Sequence, residues 1–253
     1  MKRRSEIALR AAITVAVLAA LVAALWSSEY EWDFRPAWMY RKLYLKGLGM
    51  TLSATLAAYR LGFVLGIAIA MARMSRRLAV RHLADLYVEL IRGTPFLVQL
   101  TIVYFGLAPL LRIDSKFLLG TCALGIFAAA YMGEIFRAGI ESVQRGQFEA
   151  ARSLGLSRGQ TLRHVVFPQA FRRMIPPLTG ELIALTKESS LLFFIGLAEM
   201  MASARHVGAN TYRTFEAFLV VACLYLTITV PLSLLARRLE RRLGRSDRGG
   251  VAL

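Results

Sequence analysis

The sequence runs to 253 residues, 57% hydrophobic and 19% charged, with 32 Lys and Arg against 16 Asp and Glu for a formal net charge of +16. At a mean hydropathy of +0.51, the charges must be segregated from apolar blocks of about 18 residues or more, too long and too uniform for the half-buried helices of a soluble domain. The basic excess is not a nucleic-acid signature either, because Lys and Arg are strung along the flanks of those blocks and not gathered on one domain.

Six apolar segments follow in chain order: Ile7–Trp26, Leu43–Ala72, Leu83–Leu107, Phe117–Phe136, Pro176–Met200 and Phe215–Leu235. Each is long enough to span a hydrocarbon core that takes about 20 helical residues. The first has two readings. Lys2-Arg3-Arg4 before an apolar run has the form of a signal peptide, and Trp26 has the place of an interfacial anchor on a retained helix. Cleavage would leave five helices with unchanged orientation. Beyond it, Tyr30, Trp32, Phe34, Trp38 and Tyr40 fit an interfacial aromatic belt.

In segment two, Ala58, Gly62, Gly66 and Ala70 recur every four residues, a spacing that lets helices pack closely in lipid. Arg60 lies near its centre, where it either neutralises Glu181 or Glu188 or meets a substrate carboxylate. In segment three, Glu89 and Arg92 stand one turn apart as an expected local pair, with Gly93-Thr94-Pro95 opening the helix just beyond. Glu134 and Arg137 repeat the arrangement in segment four. Cys122 and Cys223 both fall inside apolar segments, and neither they nor His82, His164 and His206 have metal-ligand or catalytic spacing.

The longest loop runs from about Arg137 to Ile175. Phe148, Ala151 and Leu154 share a helical face there, and Gly155 ends that helix. Ser157 and Gln160 have the spacing of a capping box. Leu162, Val165 and Val166 make a second apolar face, which Pro168 disturbs. The expected product is a short helix, a tight turn and a second short helix, either resting on lipid headgroups or laid into a groove of a partner.

Segment five holds Glu181, Lys187, Glu188 and Ser189. Ionisable groups cost several kcal/mol in lipid unless they face protein or water. Glu181, Ala184 and Glu188 share a face, with Lys187 beside it. A path for a zwitterionic solute wants such paired charges, with Glu181 toward an ammonium; a structural ion pair is the alternative. The residues from Arg245 to Leu253 read as a frayed tail.

Orientation follows from the loops. Lys and Arg number 21 on the side holding both termini and the long loop, against 8 on the other, which places both termini and that loop in the cytoplasm.

The long loop also carries a recognisable pattern. Glu149-Ala150-Ala151, Gly155 and Val165-Val166-Phe167-Pro168 resemble the EAA motif of ABC importer permeases, with Val165 and Phe167 in place of the usual Ile and Leu. The resemblance extends from about Gly47 to Arg242. It includes the stretches Tyr87–Gln99, Gly133–Ile140 and Pro168–Arg172, which look like the polar amino-acid subfamily.

The resemblance implies an all-α, polytopic type I importer permease fold, a five-helix core plus the N-terminal helix, in a bacterial cytoplasmic membrane. Residues 1–42 would form the tip, extra helix and external loop. Residues 43–242 would form the transmembrane domain, with a coupling loop at 141–175, and 243–253 the tail. Glu149, Ala150, Ala151, Gly155 and Pro168 would couple to a separate ATPase. Glu181, Lys187, Glu188, Ser189 and Arg60 are the candidates for the path. The implied partners are two ATPase subunits, a second permease chain, an extracytoplasmic binding protein, which the aromatic belt would meet, and an amino-acid substrate. No GxxxxGK[ST] loop occurs, so this chain binds no nucleotide by that route, and ATP and Mg would belong to the partner. The competing readings are an ion-gradient-driven secondary transporter, which leaves the EAA stretch without a role, and a membrane anchor, which leaves the charges of segment five without one.

Overall fold

The computed structural model describes residues 30–248, with positions 13, 16 and 23. Segment one and its two readings otherwise lie outside the described residues. A short helix, α1 (Arg35–Met39), carries Pro36 in its first turn, where a fixed φ suits a helix start. The 33-residue α2 (Arg41–Arg73) follows. At 1.5 Å per residue it is about 50 Å long, ample to cross a bilayer.

The small-residue stripe of α2 is its contact face. Ala58, Gly62, Gly66 and Ala70 are all buried, against α6 (Lys116–Glu141). A Cβ placed at Gly62 would stand 2.7 Å from that of Ala128, and one at Gly66 2.8 Å from that of Met132. Residue numbers rise together across this contact, so α2 and α6 run parallel. The chain between them must therefore cross back.

That return leg departs from expectation. Segment three is not one helix: α3 (Leu78–Gly93) and the stretch Phe96–Leu111 meet at 107°. Pro95 drives its predecessor out of the helical region, and Thr94 is extended at φ −126° and ψ 146°. Gln99 repairs part of the break, its amide donating to Ile91 O at 2.7 Å and Thr94 O at 3.1 Å. Beyond α4 (Phe96–Ile102), a π turn (Val103–Leu107) leads into α5 (Ala108–Leu111). Pro109 explains the widened turn, because it lacks an N–H and its ring would clash with the carbonyl four residues back.

After α6 come α7 (Arg145–Ser153) and α8 (Arg158–Thr161), then a second π turn (Leu162–Val166) and α9 (Phe167–Glu188). Pro168 repeats the logic of Pro109. The expected second short helix is thus not separate. It runs through the π turn into the membrane leg, and segment five begins well before Pro176. It also ends earlier than expected. A 3-10 stretch, Ser189–Ile195, closes at Gly196 with φ 78°, and Glu199 caps α10 (Met200–Thr211). The helix α11 (Thr214–Arg248) returns alongside α9.

Contacts of Gly139 with Met174 and of Gly120 with Leu192 run in opposite order, so α9 is antiparallel to α6. Five legs therefore alternate in direction among the described residues. The turn after α2, the α7–α8 hairpin and the end of α11 share one face. By length and composition, Arg41–Arg73, Lys116–Glu141 and Thr214–Arg241 can cross a membrane, and the bent pair makes a fourth. The leg through α9 falls short of that test, because it carries charges.

A main core of buried Ala, Leu, Phe and Met joins α2, α4, α6 and α9, and a second cluster around Tyr44, Met200, Val207 and Val221 joins α2, α10 and α11. An ion network holds three helices at the hairpin end. Arg73 bonds Asp85 of α3 at 2.7 Å and also Glu134 of α6. Arg137 bonds Glu134 and, at 2.6 Å, Glu141. The expected Glu89–Arg92 pair is not formed. Arg92 instead lies 4.0 Å from Glu134 and 5.3 Å from the centre of the Tyr131 ring, because Glu134 on the facing helix offers it a carboxylate against protein whereas Glu89 is exposed.

Candidate coupling hairpin and translocation path

The hairpin is built by local chemistry. The Gly155 N–H bonds Arg152 O at 2.9 Å, and the Leu156 N–H bonds Ala151 O at 3.0 Å. That pair of bonds ends α7 in a Schellman motif and requires the left-handed φ of 76° that Gly155 adopts. Ser157 Oγ accepts from the Gln160 N–H at 3.3 Å, and Gln160 Oε1 accepts from the Ser157 N–H at 2.9 Å, so the expected capping box opens α8.

Burial divides the hairpin into two sides. Ala151, Thr161 and Val166 are buried, and Phe148 packs against the main core. Leu154 departs from the face expected for it and stands 81% exposed at the tip, because the Schellman turn carries it past the end of α7. Glu149, Ala150, Gly155 and Pro168 also face outward. Glu149 enters no ion pair among the described residues. Exposed Arg152 and Arg158 flank the tip in sequence, and exposed Arg145 and Arg163 stand further along the two arms. The result is an outward knob with Leu154 and Gly155 at its tip and a basic collar along its arms.

The candidate path residues divide as well. Glu181 and Glu188 lie on one face of α9, and the charges that act on Glu181 are those of Glu188 and Arg92. Tyr59 of α2 joins this face, its hydroxyl donating to Leu178 O at 3.2 Å. Lys187 turns the other way. It lines a separate cavity of about 570 Å³ with Ser190, Tyr225 and Thr229, between α9 and α11. Ser189 is fully buried, and its hydroxyl bonds Thr186 O at 2.8 Å. Arg60 is exposed on the outer side of α2 and pairs with neither Glu181 nor Glu188. Arg92, at the end of α3, is the base whose charge reaches Glu181, while its own contact is with Glu134 of α6.

Two buried carboxylates escaped the sequence reading. Glu199 is fully buried, accepts from the Ala202 N–H at 2.8 Å and receives the Tyr225 hydroxyl at 3.3 Å. An acid three residues after Gly196 and just ahead of a helix is an N-cap signal, obscured because the surrounding run is apolar. Glu216, 2% exposed, accepts from the Tyr30 hydroxyl at 2.7 Å and the Asp33 N–H at 3.2 Å. It holds the aromatic stretch against α11, where Trp32 meets Phe215 at 5.3 Å. Among the described residues no cluster of side chains fits a metal.

A family model, the binding-protein-dependent transport system inner membrane component, matches residues 62–245. The chain is 38% identical over 216 residues to the glutamine transport system permease protein GlnP of Escherichia coli K12, covering 84% of this chain and 98% of that protein. It is 40% identical over 166 residues to the arginine transport system permease protein ArtQ of Bacillus subtilis, covering 65% and 76%. Among solved structures, an amino acid ABC transporter crystallised with histidines superposes with a TM-score of 0.80 at 39% identity, over 84% of this chain and all of that one.

Proposed function

We infer the role of this chain from its family: it belongs to the inner membrane components of binding-protein-dependent transport systems. It is a multi-pass membrane protein and an amino-acid permease subunit of an ABC transporter. The finer reading is our proposal. Two such permease chains, alike or different, enclose the path in a bacterial cytoplasmic membrane. Two ATPase subunits dock on the α7–α8 hairpin and carry the ATP and Mg. An extracytoplasmic binding protein delivers the amino acid to the opposite face.

One observation carries this reading. The outward knob at Leu154–Gly155 leads into a single helical run, Arg158 to Glu188, that bears Glu181. A displacement of the knob is therefore transmitted to the path without a break in the backbone. Glu149 and the basic collar meet the ATPase, Gly155 and Pro168 shape the knob, and Glu181 with Glu188 faces the cationic end of the solute. Lys187 and Ser189 serve the leg from its other sides, and Arg60, outside on α2, takes no part in it. An ion-gradient mechanism is not favoured, because it has no use for such a knob.

Co-purification tests the proposal. The tagged chain, released from its native membrane in mild detergent, brings down an ATPase that hydrolyses ATP, and Glu149→Lys releases that ATPase while the chain stays inserted. Wild-type chain that moves amino acid in vesicles with no ATPase attached would refute it. Separately, Glu181→Gln alters substrate affinity or selectivity; unchanged kinetics would remove it from the path.

A further inference from the structure

The bend at Gly93–Pro95 and the π turn at Val103–Leu107 draw the return leg away from α6 and leave a groove of about 390 Å³. Its walls are aliphatic: Ile91, Val103 and Leu107 on one side, Leu119, Ala123 and Ile126 on the other. Gln99 is a polar side chain in the lining, and its amide nitrogen is committed to Ile91 O, Thr94 O and, at 2.8 Å, Thr94 Oγ1. No charged side chain lines the groove. A zwitterionic amino acid placed there would lose its hydration without compensation, so the groove is not a branch of the path.

The groove opens onto Ile102, Leu110, Leu111 and Leu118, all exposed. A continuous apolar surface of this kind has to be covered, and on a membrane leg the covering material at hand is acyl chain. The groove also has a charged lip. Arg112 stands between Leu111 and Ile113, both lining residues, in a left-handed turn at φ 54°. It is exposed and in no ion pair among the described residues. With Asp114 and Lys116 the turn is net positive, and the Lys116 ammonium lies against the Gly196 turn, which leaves Arg112 as the exposed base between two lining residues. The turn ends a membrane leg, at the depth where headgroups lie.

We propose that this groove seats an acyl chain of a membrane phospholipid whose phosphate is held by Arg112, and that the lipid fills the space opened by the bent leg. The proposal rests on membrane placement and the groove alone, so it stands or falls apart from the coupling scheme.

The experiment uses phosphatidylglycerol with a photoactivatable acyl chain, added to the intact transporter in bilayers of unlabelled phosphatidylcholine. Photolabelling at Cys122 and Val103, both half-buried in the groove, saturates and is competed by unlabelled phosphatidylglycerol, whereas labelling at the exposed Leu234 and Leu235 of α11 rises without saturation. Arg112→Ala, on an exposed turn, shifts the half-saturating lipid upward by about fivefold, the factor expected for one basic residue at a headgroup. Val103→Trp fills the groove and removes the label at Cys122. Labelling at Cys122 that is absent, or that rises without saturation as at Leu234, would overturn the proposal. So would Cys122 cross-linking to a second permease chain in place of lipid.

Discussion

Gly155 lends itself to a test that separates backbone conformation from crowding. Its φ of 76° lies where an ordinary L-residue is disfavoured by about 1–2 kcal/mol. A Cβ there meets nothing within 4 Å in this chain. Gly155→Ala therefore acts through conformation alone and lowers the share of chains with the native knob by roughly fivefold to thirtyfold. Asn tolerates the left-handed region, so Gly155→Asn is milder than Gly155→Ala despite its larger side chain, and β-branched Gly155→Val is the most severe. The assay is amino-acid uptake and ATP hydrolysis in proteoliposomes, at equal amounts of inserted chain. The expected order is Gly, Asn, Ala, Val. If Ala outperforms Asn, side-chain volume governs. The glycine would then serve close approach by the partner, and the conformational argument is wrong.

Other outcomes are expected in detergent melting experiments. Gly66→Ala lowers the melting temperature, because its Cβ would lie 2.8 Å from that of Met132, while Gly49→Ala, with nothing within 4 Å, leaves it unchanged or slightly raised; equal effects would refute the parallel α2–α6 contact. Thr55 and Thr121 bury hydroxyls without a hydrogen-bond partner among the described residues, at positions with the same offset as Gly62 and Ala128. Replacing both by Val stabilises by about 1–3 kcal/mol, and a loss of stability would show that the two hydroxyls bond each other. Glu134→Gln weakens the bonds to Arg73 and Arg137 together and destabilises by on the order of 2 kcal/mol, less than for a fully buried pair because the side chain is 27% exposed. A melting temperature equal to wild type would reduce the network to surface decoration.

Features of the fold that are local in sequence could be read in advance. The small-residue stripe of α2, the turn at Gly155 and the Ser157–Gln160 box depend on neighbours within a few residues, and the structure has all three. The break at Gly93-Thr94-Pro95 was visible as an opening, but its 107° angle depends on what α3 and α4 pack against. The continuity from α8 into α9 was hidden, because a proline reads as an interruption and here it is absorbed by a π turn. The site was harder. Whether Glu134 or Glu89 would hold Arg92 depends on a residue 42 positions further along the chain. Nothing local distinguishes Lys187 facing α11 from Glu188 on the face of Glu181, since adjacent helical residues point about 100° apart.

The contact between Gly139 and Met174 has a mechanical meaning. The glycine leaves a socket on α6, and the unbranched methionine that enters it can change rotamer without leaving. The α2–α6 pair has less slack, with Gly62 and Gly66 set against Ala128, Met132 and the facing backbone, and branched Leu61 and Ile69 set against Gly125 and Gly133. The pair is therefore the fixed post of the molecule, and the Arg158–Glu188 run is a rocker pivoting on a soft ball joint at Met174, with the knob on its longer arm and Glu181 on the shorter one. Distances between spin labels on α2 and α6 should stay constant through the transport cycle, while those between α6 and the outer end of α9 change.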